Sequence, residues 1–76
     1  MNDHFLELAT TTDQPLADRT CAVLEEAGIP VILEHVEMRA RQTFEPGYRV
    51  LVPAQFSQTA MRLVDATSSA YYAGRP

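Results

Sequence analysis

Three arginines that lie close together in the sequence are the residues best suited to bind a ligand. Arg39 and Arg41 fall in a polar segment, residues 38–47, and Arg49 follows it. Guanidinium groups bind phosphates and carboxylates through paired hydrogen bonds. One hypothesis is therefore that these side chains hold an anionic small molecule. The alternative is a solvated loop whose nearby glutamates, Glu34, Glu37 and Glu45, neutralise the arginines, since surface ion pairs are common and contribute little to stability.

The histidines and the cysteine do not form a catalytic or metal-binding pattern. His4 and His35 are far apart, and neither has a third ligand at a zinc-like spacing. No nucleophile is paired with an oriented base. Cys21 is the only cysteine and falls on the apolar stripe of a predicted helix, where a free thiol is usually an inert hydrophobe. We therefore predict a non-enzymatic protein that uses no metal and no cofactor.

Three aromatic residues are further candidates for binding. Aromatic side chains dominate the binding hot spots of protein interfaces, so Phe44 joins the three arginines as a candidate partner-binding residue, with packing as the alternative. Tyr71 is expected to fold back and enlarge a thin core. The sequence leaves the role of Tyr72 open.

Composition limits the kinds of partner that such a chain can bind. The 76 residues include ten acidic and six basic side chains, which give a formal net charge of −4. This balance argues against nucleic acid, because binding to a phosphate backbone needs a basic surface. No apolar stretch approaches the roughly 18 residues of a membrane span, and the N-terminus lacks the pattern of a signal peptide. We expect a cytoplasmic protein that binds neither nucleic acid nor membrane.

The elements that must position these residues can be predicted from apolar periodicity. Residues 5–10 alternate as a first strand, and residues 16–27 carry one apolar stripe of a helix that begins near Asp13 and Pro15. Gly28 and Pro30 end that helix. Strands are predicted over 31–37 and 48–52, joined by a polar loop over 38–47, and a second helix follows Pro53.

The order β-α-β-β-α predicts an α+β fold, a ferredoxin-like two-layer sandwich with both helices on one face of a three-stranded sheet. We predict a single domain, 1–76, with its core in 5–70 and a tail in 71–76. The first strand would be an open edge. The other sheet face would carry Phe5 and Leu51 among charged residues, as an association face. A chain this short gains stability from a partner, so a homo-oligomer or a protein partner is expected.

Two stretches resemble a bacterial family of small signal transducing proteins. The first is LEEAGIP, residues 24–30; the second is VLVP, residues 50–53, with Ala60 seven residues after the proline and Leu63-Val64 beyond it. The family looks like a truncated relative of the nitrogen-regulatory PII fold, and the resemblance covers roughly residues 5–64. It implies the ferredoxin-like fold and partner contacts by the loop between the second and third strands. No metal role carries over, because the chain has no cysteine-rich segment, and no residues here match those that bind nucleotides in PII proteins.

Two functions follow as hypotheses. The first is a regulatory interaction module that associates through its sheet face or its open edge strand. The second is a sensor that binds an anionic small molecule at the loop of Arg39, Arg41 and Arg49. An RNA binder is disfavoured, because the sheet face would need aromatic side chains on which bases can stack, with positively charged residues around them.

Overall fold

The fold was determined as a computed structural model that describes residues 4–73. Its elements follow the predicted order and are, in sequence, strand β1 (Phe5–Thr11), helix α1 (Gln14–Glu26), strands β2 (Ile32–Ala40) and β3 (Thr43–Pro53), a 3₁₀ turn (Ala54–Phe56) and helix α2 (Ser57–Ala73). The described helices include none that is long and apolar enough to cross a membrane.

The sheet has the strand order β1-β3-β2, and β3 pairs antiparallel with both neighbours. Because β1 and β2 both run opposite to β3, they are parallel to each other, and α1 connects them across one face of the sheet. This arrangement confirms the predicted α+β, ferredoxin-like fold. It also makes both β1 and β2 edge strands within the described part of the chain, whereas the sequence had indicated only β1.

The predicted polar loop over 38–47 is wrong, because most of it is strand. The β2–β3 hairpin pairs without interruption from Ile32↔Leu51 to Ala40↔Thr43. The turn itself is only Arg41 and Gln42, and Arg41 adopts φ 59°, as the first residue of a tight hairpin turn must. Polar side chains suggested a loop, but they are equally compatible with strands that are exposed to solvent.

The start of α1 confirms its prediction. The Asp13 carboxylate accepts a hydrogen bond from the Leu16 amide at 3.2 Å, and Pro15 lies in the first turn. The Thr11 hydroxyl accepts a hydrogen bond from the Asp13 amide at 3.0 Å. Together these bonds satisfy donors that a helix start would leave unpaired.

The end of α1 is the joint that sets the helix on the sheet. Gly28 has φ 79°, its amide donates to the Glu25 carbonyl at 3.0 Å, and the Ile29 amide donates to the Leu24 carbonyl at 3.0 Å. These two bonds and the left-handed glycine form a Schellman motif. Leu24 and Ile29 are also both buried in the core, so the motif joins the helix end to the hydrophobic interior.

The core lies between the two helices and one face of the sheet. Its buried apolar residues come from α1, the following loop, β3 and α2, and they are Ala17, Leu24, Ile29, Val50, Val52 and Ala60. All of them except Ala17 form one contiguous cluster. Half-buried apolar side chains that pack around them include Leu8, Leu33 and Leu63. A core with so few fully buried residues is small, as expected for a chain of this length.

The sequence leaves open whether the tail, residues 71–76, adds a strand or extends the last helix, and its described part, residues 71–73, extends helix α2. Helix α2 continues to Ala73, through the run Thr67-Ser68-Ser69, because these residues lower helix propensity by only fractions of a kcal/mol each. The packing predicted for the Tyr71 side chain and the tail prediction for residues 74–76 lie outside the described residues.

Candidate functional site

The sheet face opposite the helices, here called the outer face, carries a charged cluster at its centre. Arg49 on β3 contacts a carboxylate from each neighbouring strand. Its Nη2 and Nε lie 2.9 and 3.0 Å from Glu34 Oε1 on β2, and its Nη1 lies 3.6 Å from Glu7 Oε1 on β1. One cation thus links all three strands, and the cluster of one arginine and two glutamates has a formal charge of −1.

A bulge in β1 allows this cluster to form. Glu7 pairs with Leu51 but Ala9 pairs with Val50, so Leu8 is an extra residue with no partner on β3. In a regular strand, Glu7 and Thr10 would point to opposite faces because they are three residues apart. The bulge brings them to the same face, where the Thr10 hydroxyl donates a hydrogen bond to Glu7 Oε2. The sequence alternation alone could not indicate this shift.

The cluster is open to water, which limits its energetic contribution. The side chains of Arg49, Glu7 and Glu34 are 40, 50 and 44% exposed. Ion pairs this exposed are screened and typically contribute less than about 1 kcal/mol each. The arrangement therefore orients polar groups on the outer face more than it stabilises the fold.

Apolar side chains flank the cluster on the same face. Ile32 pairs with Leu51 on one side of it, and Ile32 is 43% exposed while Leu51 is half-buried. On the other side, an open groove of about 410 Å³ is lined by Glu7, Thr10, Val36, Glu37, Met38 and Arg49. Both helices pack on the opposite face, and no other described element covers this one. The outer face thus combines exposed apolar surface with fixed charges.

Gly47 shapes the floor beside this groove. It is buried, and a Cβ atom at this position would overlap the Cγ and Sδ atoms of Met38 and lie 3.5 Å from the Thr11 carbonyl oxygen. The absence of a side chain lets Met38 lie flat across β3. The sequence predicts a loop at both Gly47 and Met38, so it gives no sign of their contact within the sheet.

The structure does not bring the three arginines together. Arg39 lies on β2 opposite Phe44, and Arg41 is in the hairpin turn, whereas Arg49 pairs with Glu34 further down the hairpin. Arg39 and Glu34 are five residues apart on β2, so Arg39 and Arg49 point to opposite faces of the sheet. The expectation of one arginine loop fails because the segment is a hairpin and not a loop.

The far end of the hairpin, here called the hairpin tip, extends past the last residue of β1. Thr11 pairs with Tyr48, and β3 continues beyond that point to the turn with only β2 beside it. Arg39, Arg41 and Phe44 lie in this tip, and Phe44 is 64% exposed. Four predicted site residues are therefore divided between two places, with three at the tip and Arg49 on the outer face.

Phe5 and Leu51, the residues predicted for an association face, both lie on the outer face. Phe5 pairs with Pro53, and Leu51 pairs with both Glu7 and Ile32. Both side chains are half-buried. The sequence alternation places both on the same face. The bulge at Leu8 does not change this, because Phe5 comes before it in β1 and Leu51 is on β3.

Cys21 and the histidines occupy separate environments. Burial raises the pKa of the Cys21 thiol, and the nearby carboxylates of Glu25 and Asp18 raise it further. A thiol that resists ionisation is a poor nucleophile. His35 stacks edge-on against Tyr48 with ring centroids 5.3 Å apart. Among the described residues, no group of three or more His, Cys, Asp or Glu side chains is arranged to hold a metal ion.

Comparisons with protein-family models, with curated proteins and with solved structures find no match to this chain. The resemblance of residues 24–30 and 50–53 to a signal transducing family therefore stays a prediction.

Proposed function

We propose that this protein is a small, non-enzymatic regulatory module that binds protein partners through the parts of its sheet that the helices leave open. The observation that carries the proposal is the outer face, where exposed Ile32 and half-buried Leu51 and Met38 surround a fixed charged cluster. Protein interfaces combine an apolar patch with polar groups that set orientation. The second open part is the unpaired side of β2.

The small core supports the same proposal. Only six apolar side chains are buried within residues 4–39 and 41–66, the part of the chain whose side-chain burial the structure describes. A chain of this size also hides a smaller share of its surface than a larger domain does. Apolar side chains that cannot enter the interior remain on the outer face. A partner that covers them would add to the stability of the fold by mass action.

The test compares two substitutions with the same chemistry on opposite layers. Ile32→Glu places a charge on the outer face, and Met61→Glu places one at a position on α2 that is 54% exposed. Proteins that co-purify with the tagged chain from its own host would be identified, and the Kd of each purified candidate would be measured. We expect Ile32→Glu to weaken binding at least about tenfold, a change of about 1.4 kcal/mol, and Met61→Glu to have no effect. The proposal would be overturned if the Kd for the partner were unchanged by Ile32→Glu, by Leu51→Glu and by substitutions on β2.

A second candidate is binding of an anionic small molecule, and the hairpin tip is the observation that favours it. Arg39 and Arg41 lie there beside exposed Phe44, and neither forms an ion pair with another described residue. Arg49 supports this candidate less, because two carboxylates already engage it. A thermal-shift screen with nucleotides and organic acids would test it. Stabilisation that is lost in Arg39→Ala and Arg41→Ala but kept in Arg49→Ala would favour the sensor.

A further inference from the structure

Strand β2 is an unusually regular edge. All nine of its residues, Ile32–Ala40, pair in register with β3, with no bulge and no proline. The other edge, β1, is interrupted by the bulge at Leu8. Proteins blunt exposed edges with bulges, prolines and short strands, because an open edge is a template for another strand. In this chain β1 has a bulge, whereas β2 has charged side chains but no bulge, no proline and a length of nine residues.

The pairing with β3 shows which backbone groups of β2 point outward. Glu37 faces Pro46, and because proline has no N–H, this pair is of the kind that exchanges no hydrogen bonds. The N–H and C=O of Glu37 therefore point away from β3. The pattern repeats every second residue, so the outward-pointing residues of β2 are Leu33, His35, Glu37 and Arg39.

We infer that β2 binds β2 of a second copy of this chain, antiparallel about a two-fold axis at Val36, and so joins two three-stranded sheets into one of six strands. This inference rests on the proposed function, since it names a partner for one open part of the sheet. A closed pair of identical chains has two-fold symmetry, which requires the two strands to run antiparallel. Val36 is the midpoint of β2, so this register alone pairs all nine residues.

The side-chain chemistry of β2 fits this register. Each His35 lies opposite Glu37 of the second copy, which places two hydrogen-bonding donor–acceptor pairs on one face. Val36 lies opposite Val36 on the other face, at the axis. Like charges are never directly opposed, and cross-strand pairs of this kind stabilise a sheet. The backbone hydrogen-bonding groups also match, because the four residues whose N–H and C=O point outward pair with one another. Leu33 lies opposite Arg39, and His35 lies opposite Glu37.

Neighbouring registers fit less well. When two copies of β2 pair, the residues whose backbone N–H and C=O groups point outward must lie opposite each other. The two-fold axis can therefore lie only at a residue and not between two residues. An axis at Glu37 would oppose two glutamates, and an axis at Glu34 would do the same. An axis at His35 would oppose two imidazoles and leave two residues at the end of β2 unpaired. Like charges directly opposite each other destabilise a sheet, so charge disfavours the axes at Glu34 and Glu37, and the number of paired residues favours Val36 over His35.

A cysteine at the axis tests the register directly. In a Cys21→Ala background, which removes the only native thiol, Val36→Cys would place two thiols opposite each other at a Cα separation of about 4.5 Å, within the range that a disulfide spans. We expect oxidation to produce a covalent dimer of the 8.5 kDa chain. The control is His35→Cys, whose two Cα atoms would lie more than about 7 Å apart and could not be bridged. Cross-linking through His35→Cys but not Val36→Cys would overturn the inference.

Sedimentation velocity of the unmodified chain supplies a second readout. We expect a dimer at micromolar concentration, lost in Val36→Lys because two lysines would oppose each other at the axis. The matched control is Gln58→Lys, the same charge change at an exposed position on α2, which should remain dimeric. A wild-type chain that is monomeric, or a Val36→Lys variant that stays dimeric, would overturn the inference. If Val36→Lys fails to fold by circular dichroism, the cross-linking result decides alone. A monomer that still binds a partner and loses it with Ile32→Glu would overturn this inference and leave the proposed function intact.

Discussion

Gly28 shows how one residue type fixes the connection between a helix and a sheet. Its φ of 79° is a conformation that L side chains rarely adopt, yet a Cβ atom at this position would meet no other atom within 4 Å. The glycine is therefore required for its backbone conformation and not for space. The sequence predicted this cap correctly because glycine followed by Ile-Pro is a strong local signal that needs no tertiary contact.

Substitution of Gly28 should destabilise the fold through backbone strain alone. We expect Gly28→Ala to lower the free energy of unfolding by about 1–2 kcal/mol and Gly28→Val by more, since β-branched residues resist the left-handed region most strongly. Gly28→Asn should cost least, because asparagine tolerates this conformation. Urea denaturation of the three variants would measure the order. Equal stability of Gly28→Val and wild type would contradict the assigned cap.

Arg49 is a residue whose partners can be predicted from the sequence only in part. Glu34 was among the carboxylates expected to neutralise the arginines, but Glu7 is more than forty positions away in sequence and reaches Arg49 only through strand pairing and a bulge. Pairing across a sheet depends on topology, and a bulge has no clear signature in a strand of this composition. The polar half of the site was therefore visible only in the fold.

The two ion pairs of Arg49 should differ in strength. Double-mutant cycles of Arg49→Gln with Glu34→Gln and with Glu7→Gln would measure each coupling by urea denaturation. We expect about 0.5–1 kcal/mol for Glu34, which makes two contacts near 3 Å, and less for Glu7 at 3.6 Å. Both couplings should fall at high salt. A larger coupling to Glu7 than to Glu34 would contradict the geometry.

At the scale of elements, the β2–β3 hairpin departs most from its prediction. Its end carries no Asn-Gly or similar turn signal, and Arg41 occupies the left-handed position that such signals would mark. Without that signal, a polar stretch of ten residues is read as a loop. The alternation of apolar residues identified the halves of β2 and β3 that face the core, because there it is enforced by burial. It could not identify the halves that lie in solvent.

Gly47 and Met38 give a test of how this hairpin is packed. Gly47→Ala would place a Cβ atom on the Met38 side chain, and we expect a loss of about 1–3 kcal/mol in the free energy of unfolding, as in other overpacked sites. Met38→Ala removes the atoms that would be struck. The double variant should therefore recover most of the loss caused by Gly47→Ala. Additive losses in the two single variants would show that the two residues do not touch.

For the whole molecule, the sequence was sufficient for fold class and insufficient for the site. Element order, the caps of α1 and the stripe of each helix are local patterns, and they led to the correct sandwich. The candidate site depends on which strands are neighbours, on the face each residue takes and on where an edge is left open. These properties appear only when the chain is assembled, which is why the sequence groups Arg49 with Arg39 and Arg41, although Arg49 and Arg39 lie on opposite faces and Arg41 is in the turn.

Native-state hydrogen exchange should reveal this assembly as a gradient of protection. The amides of Val50 and Val52 on the central strand should exchange most slowly, because they are fully buried and β3 has a neighbour on each side. Amides at the hairpin tip should exchange much faster, since β1 ends before it. The decisive amides are those of Leu33, His35, Glu37 and Arg39, which point away from β3. They should exchange rapidly in Val36→Lys. In the wild type, their protection should increase with protein concentration. Rapid exchange at every wild-type concentration would show that the edge of β2 has no partner strand.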